Sequence, residues 1–143
     1  MLKNLFFLSA LALFSVSHAQ SVTTTRTLNL TAADAGKDLE VRAGDLVRVS
    51  FASTPGTGYS WRALEADSTY LTLIDKVTAA PASTGNARIV GGPGPLITYV
   101  YYVRTALKQG GATLSLPLIF TQTPPGRVQN AAAQLVQFNL TSK

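Results

Sequence analysis

This chain of 143 residues contains no cysteine and a single histidine, His18. The missing thiol removes disulfides, cysteine nucleophiles and thiolate metal ligands together. One imidazole is too little for a His-based metal site, and it leaves Ser-His-Asp chemistry a single candidate base, placed close to the N-terminus. Charge is also sparse, at 13% of residues. The seven acids (Asp34, Asp38, Glu40, Asp45, Glu65, Asp67 and Asp75) all fall in the first part of the chain. They are expected on the solvated surface, because lone carboxylates are rarely buried. The basic residues stand singly, with no run and no basic helix, so the net charge of +5 does not point to nucleic acid. No pattern calls for a metal or a cofactor, and neither is expected.

The N-terminus accounts for the histidine. Lys3 precedes an apolar run from Leu5 to Val16, and Ser17-His18-Ala19 then offers small residues at the two positions that a signal peptidase reads. Residues 1–19 are therefore expected to be a secretory signal peptide, cut before Gln20. The run falls short of the roughly 20 apolar residues that span a bilayer, so no membrane attachment is expected after cleavage. No cysteine follows it, which excludes a lipid-anchored lipoprotein. Cleavage removes Met1, Lys3 and His18, lowers the net charge from +5 to +4, and leaves residues 20–143 as one domain. A chain of that length builds its own core without disulfides, in a secreted or periplasmic setting. With no thiol and no histidine left, an enzyme is not expected.

What the rest of the chain does have is alternation with period two, the mark of half-buried strands. Val47, Val49 and Phe51 alternate with Arg48 and Ser50; Ile97, Tyr99, Tyr101 and Val103 form one inward set, and Leu114, Leu116, Leu118 and Phe120 another. Strands are predicted over 24–30 with 38–42, then 46–52, 58–64, 70–78, 96–105, 112–120 and 134–141. Ala32-Ala33-Asp34-Ala35, ended by Gly36, reads as a turn. Seven to eight short strands with Gly/Pro turns predict an all-β fold, an immunoglobulin-like antiparallel sandwich, with Trp61 as a buried residue of its third strand. Pro117 cannot donate to a ladder, so its strand should be an edge there or carry a bulge. Nothing suggests oligomerisation, and a monomer is expected.

In such a sandwich alternate connections fall at the same end. Three of them are rich in glycine and proline. The first is Ser53-Thr54-Pro55-Gly56-Thr57-Gly58; the second runs from Ala79 to Pro95 and ends in Gly91-Gly92-Pro93-Gly94-Pro95; the third is Thr121-Gln122-Thr123-Pro124-Pro125-Gly126-Arg127, continuing to Ala133. Proline stiffens such loops and glycine lets the backbone itself approach a partner. Glycine and proline also make ordinary turns, so the weight lies on three such loops sharing one end.

Pro55-x-Thr57-Gly58-aromatic-x-Trp61 resembles the N-P-T-T-G-aromatic-x-W segment of the chagasin family of papain-like cysteine protease inhibitors, and Gly91-Gly92-Pro93-Gly94 is similar to that family's second loop. The resemblance implies an immunoglobulin-like sandwich whose three loops enter the protease cleft and block its catalytic thiol without being cleaved. Thr54, Pro55, Gly56, Thr57 and Gly58 would then lie nearest the target's catalytic centre. Gly91, Gly92, Pro93 and Gly94 would hold one flank, and Gln122, Thr123, Pro124 and Pro125 the other. About 800 Å² per partner would be buried, as in other protease–inhibitor pairs. The chain departs from the pattern in three places. Thr54 replaces the family's Asn and Gly56 its first Thr. The Arg-Pro-Trp of the third loop is missing from Phe120-Thr121-Gln122-Thr123-Pro124-Pro125. Arg and Trp are the types most enriched among binding hot spots, so the third loop should contribute less here. The alternative is a secreted immunoglobulin-like module that uses the same loops on a partner that is not a protease.

Overall fold

The alternating segments do become strands. The computed structural model describes residues 24–54, 56–80, 94–126 and 134–142. Among them are β1 (Thr27–Thr31), β2 (Asp38–Val41), β3 (Leu46–Ala52), β4 (Ser60–Ala63), β5 (Leu71–Ala79), β6 (Leu96–Val103), β7 (Lys108–Gln109), β8 (Ala112–Thr113), β9 (Ser115–Thr123) and β10 (Gln134–Ser142). One sheet has the order β1-β3-β6-β5 and the other β2-β10-β9-β4, with β7 and β8 as a separate small hairpin. Ala32–Asp34 forms a single 3-10 turn, and Gly36 beyond it has φ +76°. Among the described residues no helix is long and apolar enough to cross a membrane.

The period-two faces meet between the sheets. Val47, Val49 and Phe51 of β3, with Tyr99, Tyr101 and Val103 of β6, face Leu118 and Phe120 of β9 and Val136, Phe138 and Leu140 of β10. Phe120 is at the centre, within 4.9 Å of the Phe51 ring, 5.2 Å of Tyr99 and 6.1 Å of Phe138. Trp61 is buried, as expected of the third main strand.

Four features differ from the sequence-based expectation. The sheets are mixed: β1 runs parallel to β3, and β2 parallel to β10. The N-terminal pieces do not form one edge strand. They are divided between the sheets, each lying beside a strand of its own direction. The strand expected over 112–120 is displaced. Residues 112–113 belong to the hairpin, which lets Leu107 enter the core fully buried, and β9 runs on to Thr123. Asp45 is buried, contrary to its expected place at the surface. Its Oδ2 accepts Nη2–H of Arg26 at 2.7 Å and the Arg42 N–H at 2.9 Å, so the carboxylate is compensated.

Pro117 behaves as an edge residue inside a central strand. It is opposite Asn139 of β10, whose N–H points the other way, to Lys37 O. On its remaining side β4 is paired with β9 only from Phe120 to Thr123. The absent N–H therefore costs no ladder bond.

The exposed edge strand β5 is blunted. A bulge interrupts its register between Leu73 and Asp75, and Asp75 Oδ1 accepts the Lys76 N–H at 2.8 Å. The Lys76 ammonium lies 5.1 Å from the centroid of the Tyr99 ring. Bulges and inward-directed charges are the devices that stop free edges from pairing with other chains.

Candidate functional site

The strands fix where the glycine- and proline-rich connections go. β3 delivers the chain into 53–59, β5 and β6 bound the connection from Ala80 to Pro95, and β9 and β10 bound the one that starts at Pro124. Their described ends converge. The Ser53 N–H donates to Pro95 O at 2.9 Å, joining the first connection to the second. Gly58 approaches Pro125 so closely that a Cβ added to it would lie 2.5 Å from the proline Cβ, which joins the first to the third. Gly58 has φ +73°, so glycine is required there both for its backbone conformation and for that approach. Gly56, at φ +89°, has no atom within 4 Å of such a Cβ and stands free at the tip.

The first loop is pinned from within. The Thr57 hydroxyl donates to Thr54 O at 2.8 Å and lies 3.1 Å from the Thr54 hydroxyl. Tyr59 N–H reaches back to Thr57 Oγ1 at 3.5 Å. The base of the loop is clamped by aromatics. Phe51 and Trp61, one on each side of the loop, stack with centroids 4.1 Å apart and planes at 16°. Trp61 Nε1–H donates to Ala52 O at 3.2 Å, and the Tyr99 hydroxyl donates to Trp61 O at 2.7 Å. Such bracing keeps the loop in one shape before a partner arrives.

Of the predicted site residues, Thr54, Gly56, Thr57 and Gly58 lie together at this end, and Gly94 and Pro125 lie beside them. Pro55, Gly91, Gly92 and Pro93 lie outside the described residues. Gln122 and Thr123 need correction. They are not in the loop but are the last two positions of β9, paired with Trp61 and Ser60 of β4. The Thr123 hydroxyl is 3.1 Å from the Ser60 hydroxyl and donates to Ser60 O at 3.2 Å. β4 pairs with both residues and β10 with Gln122, and β9 ends at Thr123, so the third loop begins at Pro124.

The described surface of this end carries no ionisable side chain except Tyr59. It offers glycine backbone, threonine hydroxyls and proline rings. Among the described residues no group of three His, Cys, Asp or Glu could hold a metal. The arrangement can dock against a concave surface.

A family model for the chagasin family of peptidase inhibitors matches residues 40–130, well over half of the chain and across the first two loops. The chain belongs to the chagasin family. Among curated proteins none matches it significantly. Among solved structures it is similar to the cysteine protease inhibitor EhICP2 of Entamoeba histolytica, at 17% identity and a TM-score of 0.64, over 84% of this chain and 98% of that one. It is similar also to amebosin, at 14% identity and a TM-score of 0.58, over 82% of this chain and 98% of the other. At these identities the likeness is one of fold, and it agrees with the sandwich described above. Members of the chagasin family are inhibitors and not enzymes.

The chagasin-like segment is thereby resolved into two parts. Trp61 is structural, closing the base of the loop, and Tyr59 is half-buried just ahead of β4. Thr54, Gly56, Thr57 and Gly58 are exposed. Sequence reasoning missed the Ser53–Pro95 bond and the role of Tyr99, which reaches the loop base from the other sheet. The inward periodicity of 97–103 marked Tyr99 as a core residue, but nothing in it showed where the hydroxyl would go.

Proposed function

We propose that this chagasin-family protein inhibits papain-like cysteine proteases by inserting the loops at 53–59, 80–95 and 124–133 into the catalytic cleft. Residues 54–58 are central and the other two loops lie on the flanks. The observation that carries this is the convergence of three glycine- and proline-rich connections at one end, tied through Ser53–Pro95 and the Gly58–Pro125 approach. A wedge needs a rigid, narrow and uncharged edge, and the Thr57 pins with the Phe51–Trp61 stack supply the rigidity. The left-handed backbone at Gly56 and Gly58 resists the extended conformation in which proteases hold cleavable peptides, which supports inhibition without cleavage.

The reading extends to the setting. Removal of residues 1–19 would release the domain outside the cytoplasm, where it would act as a monomer; the blunted β5 edge supports the monomer. The experiment is titration of residues 20–143 against papain and a cathepsin-L-like enzyme with a fluorogenic substrate. Reversible inhibition competitive with substrate is expected, weaker than that of a homologue with Arg-Pro-Trp in its third loop. Full activity at about 100 μM of the protein, weaker than any specific interface of this size, would reject the protease partner in favour of a different one.

A further inference from the structure

The two sheets do not close on each other along the side bounded by β4 and β5. Both are edge strands, and the segment that connects them, 64–70, spans the gap. Beneath it is a cleft of about 350 Å³, at the end of the sandwich away from the three loops. Its walls are Ala63 and Leu64 on one side, Leu71 and Leu73 on the other, with Tyr101 at the floor and Glu65 at the mouth. Leu64 and Leu73 are 46% and 47% exposed, so apolar surface is left in contact with water at the rim.

Tyr101 is the unusual element. It is only 2% exposed, and its ring packs edge-on against Phe120 with centroids 6.3 Å apart. Yet its hydroxyl has no hydrogen-bond partner among the described residues, whereas the neighbouring Tyr99 hydroxyl has one. Among the described residues no polar side-chain atom is sealed in without a partner, so the Tyr101 oxygen keeps a residual contact with solvent, and Tyr101 lines the cleft. Burial, with Tyr99 adding to it, pushes this phenol up to about 12, so the group remains a neutral donor at any physiological pH.

We propose that this cleft is a second binding site, for a small neutral molecule with an apolar body and one hydrogen-bond acceptor. The body would cover Leu64, Leu71 and Leu73, and the acceptor would take the free Tyr101 O–H. Ser68 and Thr72 also line the cleft, so a largely apolar wall is joined to a few polar groups, the usual make-up of a small-molecule site. Glu65 at the mouth selects against carboxylates by like-charge repulsion. The site is independent of protease inhibition.

Acetophenone and benzoate are probes of matching size, one neutral with a ketone acceptor and one anionic. Each is titrated into 15N-labelled protein and followed by amide shifts. Acetophenone should give saturable shifts at Leu64, Leu73 and Tyr101 with a dissociation constant on the order of 1 mM, as a ligand this small allows. Benzoate should bind at least tenfold more weakly. Tyr101→Phe should weaken acetophenone at least threefold; it keeps the ring and removes only an unpaired hydroxyl, so its melting temperature should not fall. Leu73→Arg, at an exposed rim position, should abolish binding. The absence of saturable shifts at these amides up to about 10 mM would overturn the site. Equal binding of benzoate, or no change with Tyr101→Phe, would overturn the ligand class assigned to it.

Discussion

Alanine at Gly58 and alanine at Gly56 should behave very differently, although both glycines are exposed, both lie in the same loop and both have positive φ, at +73° and +89°. Each substitution forces an L residue into the left-handed region, at a cost of about 1–2 kcal/mol. For Gly56 that is the whole cost, since a Cβ there meets nothing within 4 Å. For Gly58 the new Cβ would be 2.5 Å from Pro125 Cβ and 3.0 Å from Cγ, with the Pro125 Cα at 3.7 Å. A proline ring cannot swing aside as a flexible side chain does, so the third loop must move. Overpacking of this kind adds about 1–3 kcal/mol. Gly58→Ala is therefore expected to lose about 2–5 kcal/mol of unfolding free energy in urea, and Gly56→Ala about 1–2. The same displacement separates the first loop from the third. The inhibition constant against papain should then rise at least tenfold for Gly58→Ala, beyond any change for Gly56→Ala. Pro125→Gly in the Gly58→Ala background should restore part of the lost stability. Equal destabilisation by the two alanines, or no rescue, would refute the close contact between the loops.

Other substitutions test the frame that holds the loops. Trp61→Phe removes the Nε1–H bond to Ala52 O and part of the stack on Phe51, and should cost about 1–3 kcal/mol by urea denaturation while raising the inhibition constant. Asp45→Ala should cost about 2–4 kcal/mol, because Arg42 N–H and Arg26 lose their acceptor, and a cycle with Arg26→Ala should be non-additive by about 1 kcal/mol. Asp34 is held below its ordinary value by hydrogen bonds first from Lys37 and then from the Thr31 N–H. Its contribution to stability is therefore present above the ordinary aspartate range and is lost as pH falls through the depressed value. Asp34→Asn should accordingly be less stable than the parent at neutral pH and should match it at strongly acidic pH, as read from melting temperatures.

The strands were legible because each carries its own alternation: Val47-x-Val49-x-Phe51 and Tyr99-x-Tyr101-x-Val103 need no partner to declare their inward faces. The presented loop was legible too, since Pro55, Gly56 and Gly58 break the pattern between two well-marked strands. What escaped depends on residues far apart in the chain. Asp45 is buried only because Arg26, 19 positions earlier, reaches its carboxylate. The parallel pairing of β1 with β3 and of β2 with β10 joins segments that their own alternation does not match to a partner. Gln122 and Thr123 look like loop residues because they are polar and precede two prolines, but β4 on one side and β10 on the other continue the ladder through Gln122.

Hydrogen exchange of the inhibitor, alone and with papain whose thiol has been blocked, tests the wedge most directly. Slowed exchange is predicted at amides 53–59, 94–96 and 124–126, with no change at the turn 42–45 or the hairpin 108–113 at the opposite end. Protection confined to that opposite end or to the outer face of a sheet, or no protection at all, would contradict occlusion of the cleft by these loops.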